Sequence, residues 1–570
     1  MKKIYRKFTV LLILLATACN LDGDLQNPNE VSVSGADANL LMNAIQLDFA
    51  DFFFNASNTA DPLMRRQAMT GGFRYQTAYQ PQNVDGLWTQ AYRNILINAE
   101  TLIPLASSKT LTTHVAVAEL LEAFTFVTLV DVFGDVPATE ALKAASGNFN
   151  PKADNGEAIY DKALALIADA RDVQLAATGP AAGAALARDI YYGGDRTLWT
   201  ALANTLELKI QINLSMMPTR AAAANARIAV LLNTGTTNTI DKTDGSEDFT
   251  YKYGTATVPG GSRHPLYDQY YGASKGSAGG YLGTGFMYEL YRGKPDPAFP
   301  ADPTKFTQDP RWRYIMYRQV GSKSTMDLTD PKALGCTPAA PPVHYAGYPF
   351  CFFDPGFYGR DHGDASGTPP DSPFVTCVGV YPAGGKVDDN STSGSSTFTG
   401  ATLRGDGANG AGITPIWMGY YTDFLRAEIA ERTAPGSGLA LMNTAITNSI
   451  TSIKAFATTK KQTLVNFPAT ATATYLAAVG IQYTNAPRKM DIVGKEFYIA
   501  TWGNGVEAYN LYRRTSAPKN MQPTLQTGPG PWLRSMTYPA VYVNLNANAK
   551  QKDYTLVNKV FWDTNTDTLN

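Results

Sequence analysis

VAELLEAFTFVTLVDVFGDVP, residues 117–137, decides the reading of the fold. Its apolar residues Val117, Leu120, Leu121, Phe124 and Val127 keep the three-and-four spacing of a buried helix face. The run stops at Phe133, because Gly134 accepts a left-handed cap and Pro137 cannot continue a helix. It is not a membrane span, since Glu119, Glu122 and Asp131 interrupt it and a span needs about 20 apolar residues. Asp131 and Asp135 read as a cap and turn network in preference to an acid/base pair.

Outward from this helix the same period recurs in AIYDKALALIADA (residues 158–170) and at Trp199, Leu202, Leu206, Ile210 and Leu214. Small residues interleave these faces and allow close, tetratricopeptide-like helix pairing, although the strict repeat of about 34 residues is absent. Residues 40–244 are thus expected to form a helical repeat-like scaffold. Residues 245–415 change to Gly, Pro, Ser and Tyr without sustained period, as in a loop-rich insertion forming a ligand face. Helical spacing returns at 418–431, at 439–457 and near 495–514, where Gly503, Asn504 and Gly505 interrupt or end a helix. Residues 416–570 therefore read as C-terminal helices followed by Tyr- and Val-rich extended pieces. The expected fold is mainly α, with residues 40–570 as one domain.

Composition excludes several classes. The 570 residues carry 48 Lys plus Arg against 49 Asp plus Glu, a formal charge of −1, without the basic excess of a nucleic-acid binder. With 44% hydrophobic and 17% charged residues the chain is not of the disordered, highly charged kind. Tyr leads the aromatic residues, 31 against 25 Phe and 7 Trp, which suits half-buried packing or a surface that handles polar ligands.

The first residues read as an export signal: Lys2, Lys3, Arg6 and Lys7 precede the apolar run 8–16, and Ala16-Thr17-Ala18 precede Cys19. The arrangement resembles a bacterial lipobox, with Ala16 where Leu is usual. Residues 1–18 are then a lipoprotein signal peptide, Cys19 the acylated (palmitate-bearing) anchor and 19–39 a flexible tether. Of the other cysteines, Cys336 and Cys351 are the preferred disulfide pair and Cys377 is left over. No C-x-x-C spacing suggests zinc.

Two segments look functional. RRQAMTGGFRYQTAYQPQNVDGLW (residues 65–88) gathers Phe73, Arg74, Tyr75, Tyr79, Gln80 and Asn83, where rings stack on a cargo and Arg, Gln and Asn supply oriented hydrogen bonds. Trp88 and Tyr92 lead a helical run and read as core. FYGRDHGDASGTPPD (residues 357–371) adds Tyr358, Arg360 and His362 as cargo candidates. Asp361 and Asp364 are the weak metal candidates there, with internal loop pinning the favoured alternative and structural calcium the other, since the spacing is not an EF-hand. No cofactor is otherwise expected. H-E-x-x-H does not occur and no acid pair is marked out by its surroundings, so no catalytic residue is assigned.

Five segments in order carry a family resemblance: LVDVFGDVP (129–137), residues 151–170, LWTALANTLELKI (198–210), YTDFLRAEIAE (421–431) and GKEFYIATWGNGVEAYNLYRR (494–514). Together with the lipobox they resemble the SusD/RagB family of surface lipoproteins. The resemblance implies a SusD-like, tetratricopeptide-like scaffold, lipid-anchored at the outer membrane and facing outward. It also implies a nutrient receptor acting as a lid on a SusC-like TonB-dependent barrel, not an enzyme. Oligosaccharide is the favoured cargo. The alternatives are a RagB-type oligopeptide receptor and a surface-anchored glycoside hydrolase. Within these motifs Glu428, Glu496, Glu507, Arg513 and Arg514 read as ion-pair and packing residues between helices.

Overall fold

The computed structural model describes residues 36–69, 72–233, 235, 237–258, 261–270, 280–302, 305–318, 359–365, 376–383, 407–460, 469–519, 521–567 and 569. Cys19, Cys336, Cys351 and Tyr358 lie outside the described residues.

The chain is mainly helical. Helices α1 (Ala38–Ala60), α2 (Ile97–Ser108), α3 (Thr112–Phe133), α4 (Gly156–Asp169), α5 (Arg196–Leu214) and α6 (Ala221–Leu231) form the N-terminal scaffold. Asp37, Asn155 and Asp195 cap α1, α4 and α5 by accepting a backbone N–H of the first turn. The helix α3 stops at Phe133, as its sequence predicts, with Gly134 at φ 80°. It differs from the one-faced helix expected, because only Thr112 and Glu122 escape burial. The reason is position: α1, α2, α4 and α5 surround it, and the C-terminal helices close the remaining side. Its hydroxyls tolerate this by back-bonding, Thr125 to Leu121 O (2.7 Å) and Thr128 to Phe124 O (2.8 Å).

The strand β1 (Phe249–Lys252) pairs antiparallel with β2 (Ile413–Trp417), so the two ends of the loop-rich stretch are clamped side by side. Between them lie α7 (Thr284–Tyr291) and two short antiparallel pairs, Lys294–Pro295 with Phe306–Thr307 and Met316–Arg318 with Thr376–Val378. Cys377 sits in the last of these.

Helices α8 (Gly419–Thr433), α9 (Leu439–Thr459), α10 (Ala471–Asn485), α11 (Met490–Ala500) and α12 (Gly505–Thr515) follow. The break between α11 and α12 comes from Gly503 at φ 84° and from Asn504, whose side chain accepts from Glu507 N. Sequence periodicity misses α10, which buries only Tyr475, Ala478, Val479 and Tyr483 along a thin stripe. The expected extended C-terminal pieces form no strand among the described residues. They wrap the end of α3 as irregular chain with one short helix, Ala540–Leu545. Met536 N donates to Val132 O (2.8 Å), and Lys552 Nζ donates to Phe133 O and to Met536 O. No described helix is long and apolar enough to cross a membrane.

Of the motif charges Glu428, Glu496, Glu507 and Arg514 form ion pairs, within and between elements, whereas Arg513 forms none among the described residues. Arg514 joins Glu428 (3.0 Å) and Glu507 (3.1 Å), and Lys209 joins Glu507 (3.1 Å) and Asp131 (3.2 Å). Glu496 takes Arg311 (3.1 Å) and Lys294 (3.2 Å), while Arg513 donates to Arg534 O and Asn510 and lies over the Tyr509 ring. Asp131 also accepts from Asn510 and Trp562, and Asp135 accepts from Gly156 N (2.8 Å). Both are structural acceptors.

Candidate functional site

After α1 the chain turns through Arg65, which holds φ 57°, and three consecutive side chains leave in different directions. Arg65 donates to Tyr75 OH (3.2 Å) and to Gln522 O (2.5 Å). Arg66 pairs with Asp61 and lies 5.6 Å from the centres of the Tyr498 and Trp502 rings. Gln67 donates to Asp61 (3.2 Å) and bridges through its backbone to Leu282.

Residues 281–284 then serve as a middle rung. Ala68 N donates to Tyr281 O (2.8 Å) and Gly283 N to Arg66 O (2.9 Å) on one side. On the other, Arg360 N donates to Leu282 O (2.9 Å) and Thr284 N to Arg360 O (3.0 Å). The approach requires glycine, since a Cβ on Gly283 would lie 2.1 Å from Arg65 O. The two segments singled out in the sequence are thereby drawn together. Tyr75 OH lies 3.1 Å from His362 Nε2, across 287 residues of chain. That oxygen accepts from Arg65 and shares a hydrogen bond with Nε2, the donor being set by the imidazole tautomer. Burial, with the Arg65 charge second, holds the imidazole well below its ordinary pKa, so His362 is neutral.

This geometry corrects three expectations. Tyr75, Tyr79 and His362, expected to face cargo, are only 1%, 5% and 2% exposed. Tyr79 is held from below, its hydroxyl donating to Thr59 O (3.2 Å) and its carbonyl accepting from Thr537 (3.0 Å). The Tyr75 ring is held inward by Arg65 and by His362, 287 residues away, and the Tyr79 ring by Thr59 O of α1. Asp361 accepts from Gln522 (2.7 Å) and Asp364 is buried beside it in the loop, which accords with loop pinning. Among the described residues no group of three or more His, Cys, Asp or Glu side chains could hold a metal ion. Trp88 stacks on Tyr542 (4.6 Å) and Tyr92 donates to Pro137 O (2.6 Å), both within the helical body as expected.

What remains outside is compact. Phe73 is 40% exposed, and Arg74, Gln76, Gln80, Gln82 and Asn83 are exposed around it. The Arg74 guanidinium has no partner among the described residues. Asn83 donates to Ala78 O (3.1 Å), which orients its amide and leaves its oxygen free of any described donor. Arg360 is half-buried, lying 4.7 Å from the centre of the Tyr281 ring. An aromatic face, a guanidinium and several amides thus stand on a turn that Tyr75 anchors to the interior. They can stack on an apolar ring face and hydrogen-bond to hydroxyls, and they include no nucleophile beside a base.

Gln67 leads from this turn to a narrow recess lined in part by Ser57, Asp61, His264, Tyr381 and Trp502, none of which the sequence analysis singles out. His264 Nδ1 accepts from Leu266 N (3.2 Å), and burial lowers its pKa to about 3, leaving it neutral. The one sequence signal was the aromatic, glycine-rich stretch GSRHPLYDQYYG, residues 261–272.

Comparison with known proteins agrees with this architecture. Residues 28–256 match the SusD-like family model described as "Starch-binding associating with outer membrane". The fold is similar to a SusD/RagB family protein from Bacteroides thetaiotaomicron, with 16% identity over 93% of this chain and 100% of that one and a TM-score of 0.63. A SusD homolog from Bacteroides fragilis is 15% identical over 93% of this chain and 99% of its own, with a TM-score of 0.63. A chitin-binding SusD homolog from Flavobacterium johnsoniae is 16% identical over 94% and 99%, with a TM-score of 0.55. No curated protein matches the chain.

Proposed function

We propose that this chain, a SusD-like protein by its fold and by the family match over residues 28–256, is a surface receptor that captures neutral oligosaccharides at the outer membrane. The observation that carries the reading is the exposed patch of Phe73, Arg74, Gln80 and Asn83, mounted on a turn whose buried residues leave it little freedom. A rigid platform of this kind loses little entropy when it binds a flexible oligomer. Its chemistry is that of sugar recognition: a ring for the apolar sugar face and side-chain amides for hydroxyls. The formal charge of −1 provides no strong field for selecting acidic or basic cargo.

The printed description of the family and the chitin binding of the Flavobacterium relative support the glycan assignment. By the same analogy the receptor is anchored through acylated Cys19 and acts as a lid on a SusC-like TonB-dependent barrel. Cargo held on the loop-rich face is passed to the barrel without turnover. The test is calorimetric titration of purified protein with neutral oligosaccharides and with uncharged oligopeptides. Saturable glycan binding that Phe73→Ala and Arg74→Ala each weaken by roughly tenfold, without release of shorter products, is expected. Peptide binding that Phe73→Ala abolishes, in place of glycan binding, or hydrolysis of the glycan, overturns the assignment. Copurification with the barrel tests the lid.

A further inference from the structure

A concavity on the helical scaffold shares no described lining residue with the Phe73 patch. It is a groove of about 380 Å³ between α2, α3, α4 and the loop 138–143. That volume is within the range of small-molecule sites, roughly 300 to 1,000 Å³. Its walls are largely apolar, with Leu96, Ile103, Pro104, Phe126 and Leu142 among them.

The loop wall is built rigidly. Asp154 accepts from Ala138 N (2.7 Å), Thr139 N (2.9 Å) and the Thr139 hydroxyl (2.6 Å). Glu140 accepts from Lys152 N (3.0 Å), and Leu142, a bulky residue, is held at φ 61°. Such a conformation is costly for a bulky residue and persists only where its surroundings impose it.

The charges divide into two kinds. Lys162 and Glu122 satisfy each other at 2.6 Å, and the Lys162 ammonium also sits 4.1 Å from the centre of the Phe126 ring. Glu100 on the helix wall and Lys143 on the loop wall are exposed and have no side-chain partner among the described residues. A sugar is poorly served here. Among the described lining residues the one aromatic ring, Phe126, has Lys162 over it, and the one hydroxyl, that of Thr139, already donates to Asp154. An apolar body carrying one positive and one negative end is well served, because Glu100 and Lys143 are each free to take one end.

We propose that this groove is a second ligand site, for short zwitterionic peptides with apolar side chains, independent of the glycan patch. The probe is the dipeptide Leu-Leu, titrated into purified protein and followed by calorimetry or ligand-observed NMR. Leu-Leu should bind saturably, and N-acetylation or C-terminal amidation should each weaken it by roughly fivefold. In Glu100→Lys the penalty for N-acetylation should vanish, and in Lys143→Glu the penalty for amidation. Both substitutions are at exposed positions, and glycan binding measured in the same samples should be unchanged. Failure of glycan binding alone would touch only the function proposed above. The groove proposal is overturned if Leu-Leu shows no saturable signal, if the capped forms bind as well as the free one, or if neither charge reversal changes the preference.

Discussion

Tyr75 joins the two candidate segments through a single oxygen, which accepts from Arg65 and is hydrogen-bonded to His362. Replacing it by Phe keeps the ring and removes both bonds, leaving two buried polar groups unpaired at a cost of about 1–3 kcal/mol. Tyr75→Phe should therefore lower the denaturation midpoint and speed hydrogen exchange in residues 359–365, with Phe73 still exposed. Asp248 is a second residue with a measurable signature. It accepts from Gly419 N (2.8 Å) at the start of α8, yet burial outweighs that bond and raises its pKa to about 7. The folded state then binds this proton more tightly than the unfolded chain does. The associated penalty is absent below about pH 4, grows as pH rises toward 7 and is constant above. Asp248→Asn should accordingly stabilise the protein at pH 8, on the order of 1–3 kcal/mol, and give no gain at pH 4; denaturation at the two pH values decides it.

Elements meet here at contacts too close for a side chain. The first turn of α12 rests on the last turn of α1, where a Cβ on Gly505 would lie 2.0 Å from Ser57 O. Backbone faces backbone at this point, so neither helix can yield by a rotamer change. Gly505→Ala should separate α1 from α12 and cost about 3 kcal/mol or more, seen as a large fall in midpoint or as loss of soluble protein. Gly480, in α10, has open space around it and is the matched control: Gly480→Ala should be neutral or stabilising.

At the scale of the whole molecule, buried charges tie the N-terminal scaffold to the C-terminal helices. Arg514 of α12 bridges Glu428 of α8 and Glu507, and Lys209 of α5 continues the chain to Asp131 of α3. Removing the central cation leaves buried Glu428 with Arg432 at 3.7 Å and buried Glu507 with Lys209 at 3.1 Å, each short of its closest guanidinium. Arg514→Met is expected to destabilise by about 3–5 kcal/mol, and Glu428→Gln in the same background should recover part of that loss in thermal denaturation. Anchoring belongs to this scale too. Under the proposed lipidation, Cys19→Ala should move the protein from the membrane fraction to the soluble fraction while its glycan affinity is unchanged.

By itself the sequence determined what depends on near neighbours along the chain. The spacing from Val117 to Val127 made a helix, Gly134 and Pro137 ended it, and Gly503 to Gly505 broke α11 from α12, because periodicity and backbone freedom are local properties. It also marked residues 73–83 as a place where rings and amides gather. It did not reveal α10, whose buried stripe is four residues wide, nor that α3 would be enclosed on nearly every side. Only the tertiary structure decided which rings face outward. In a turn the direction of a side chain follows its partners: that of Tyr75 includes His362, 287 residues away, and the Tyr79 hydroxyl reaches back to Thr59 O of α1. The groove between α2, α3, α4 and loop 138–143 has the same origin, since its lining comes from four segments that fold alone brings together.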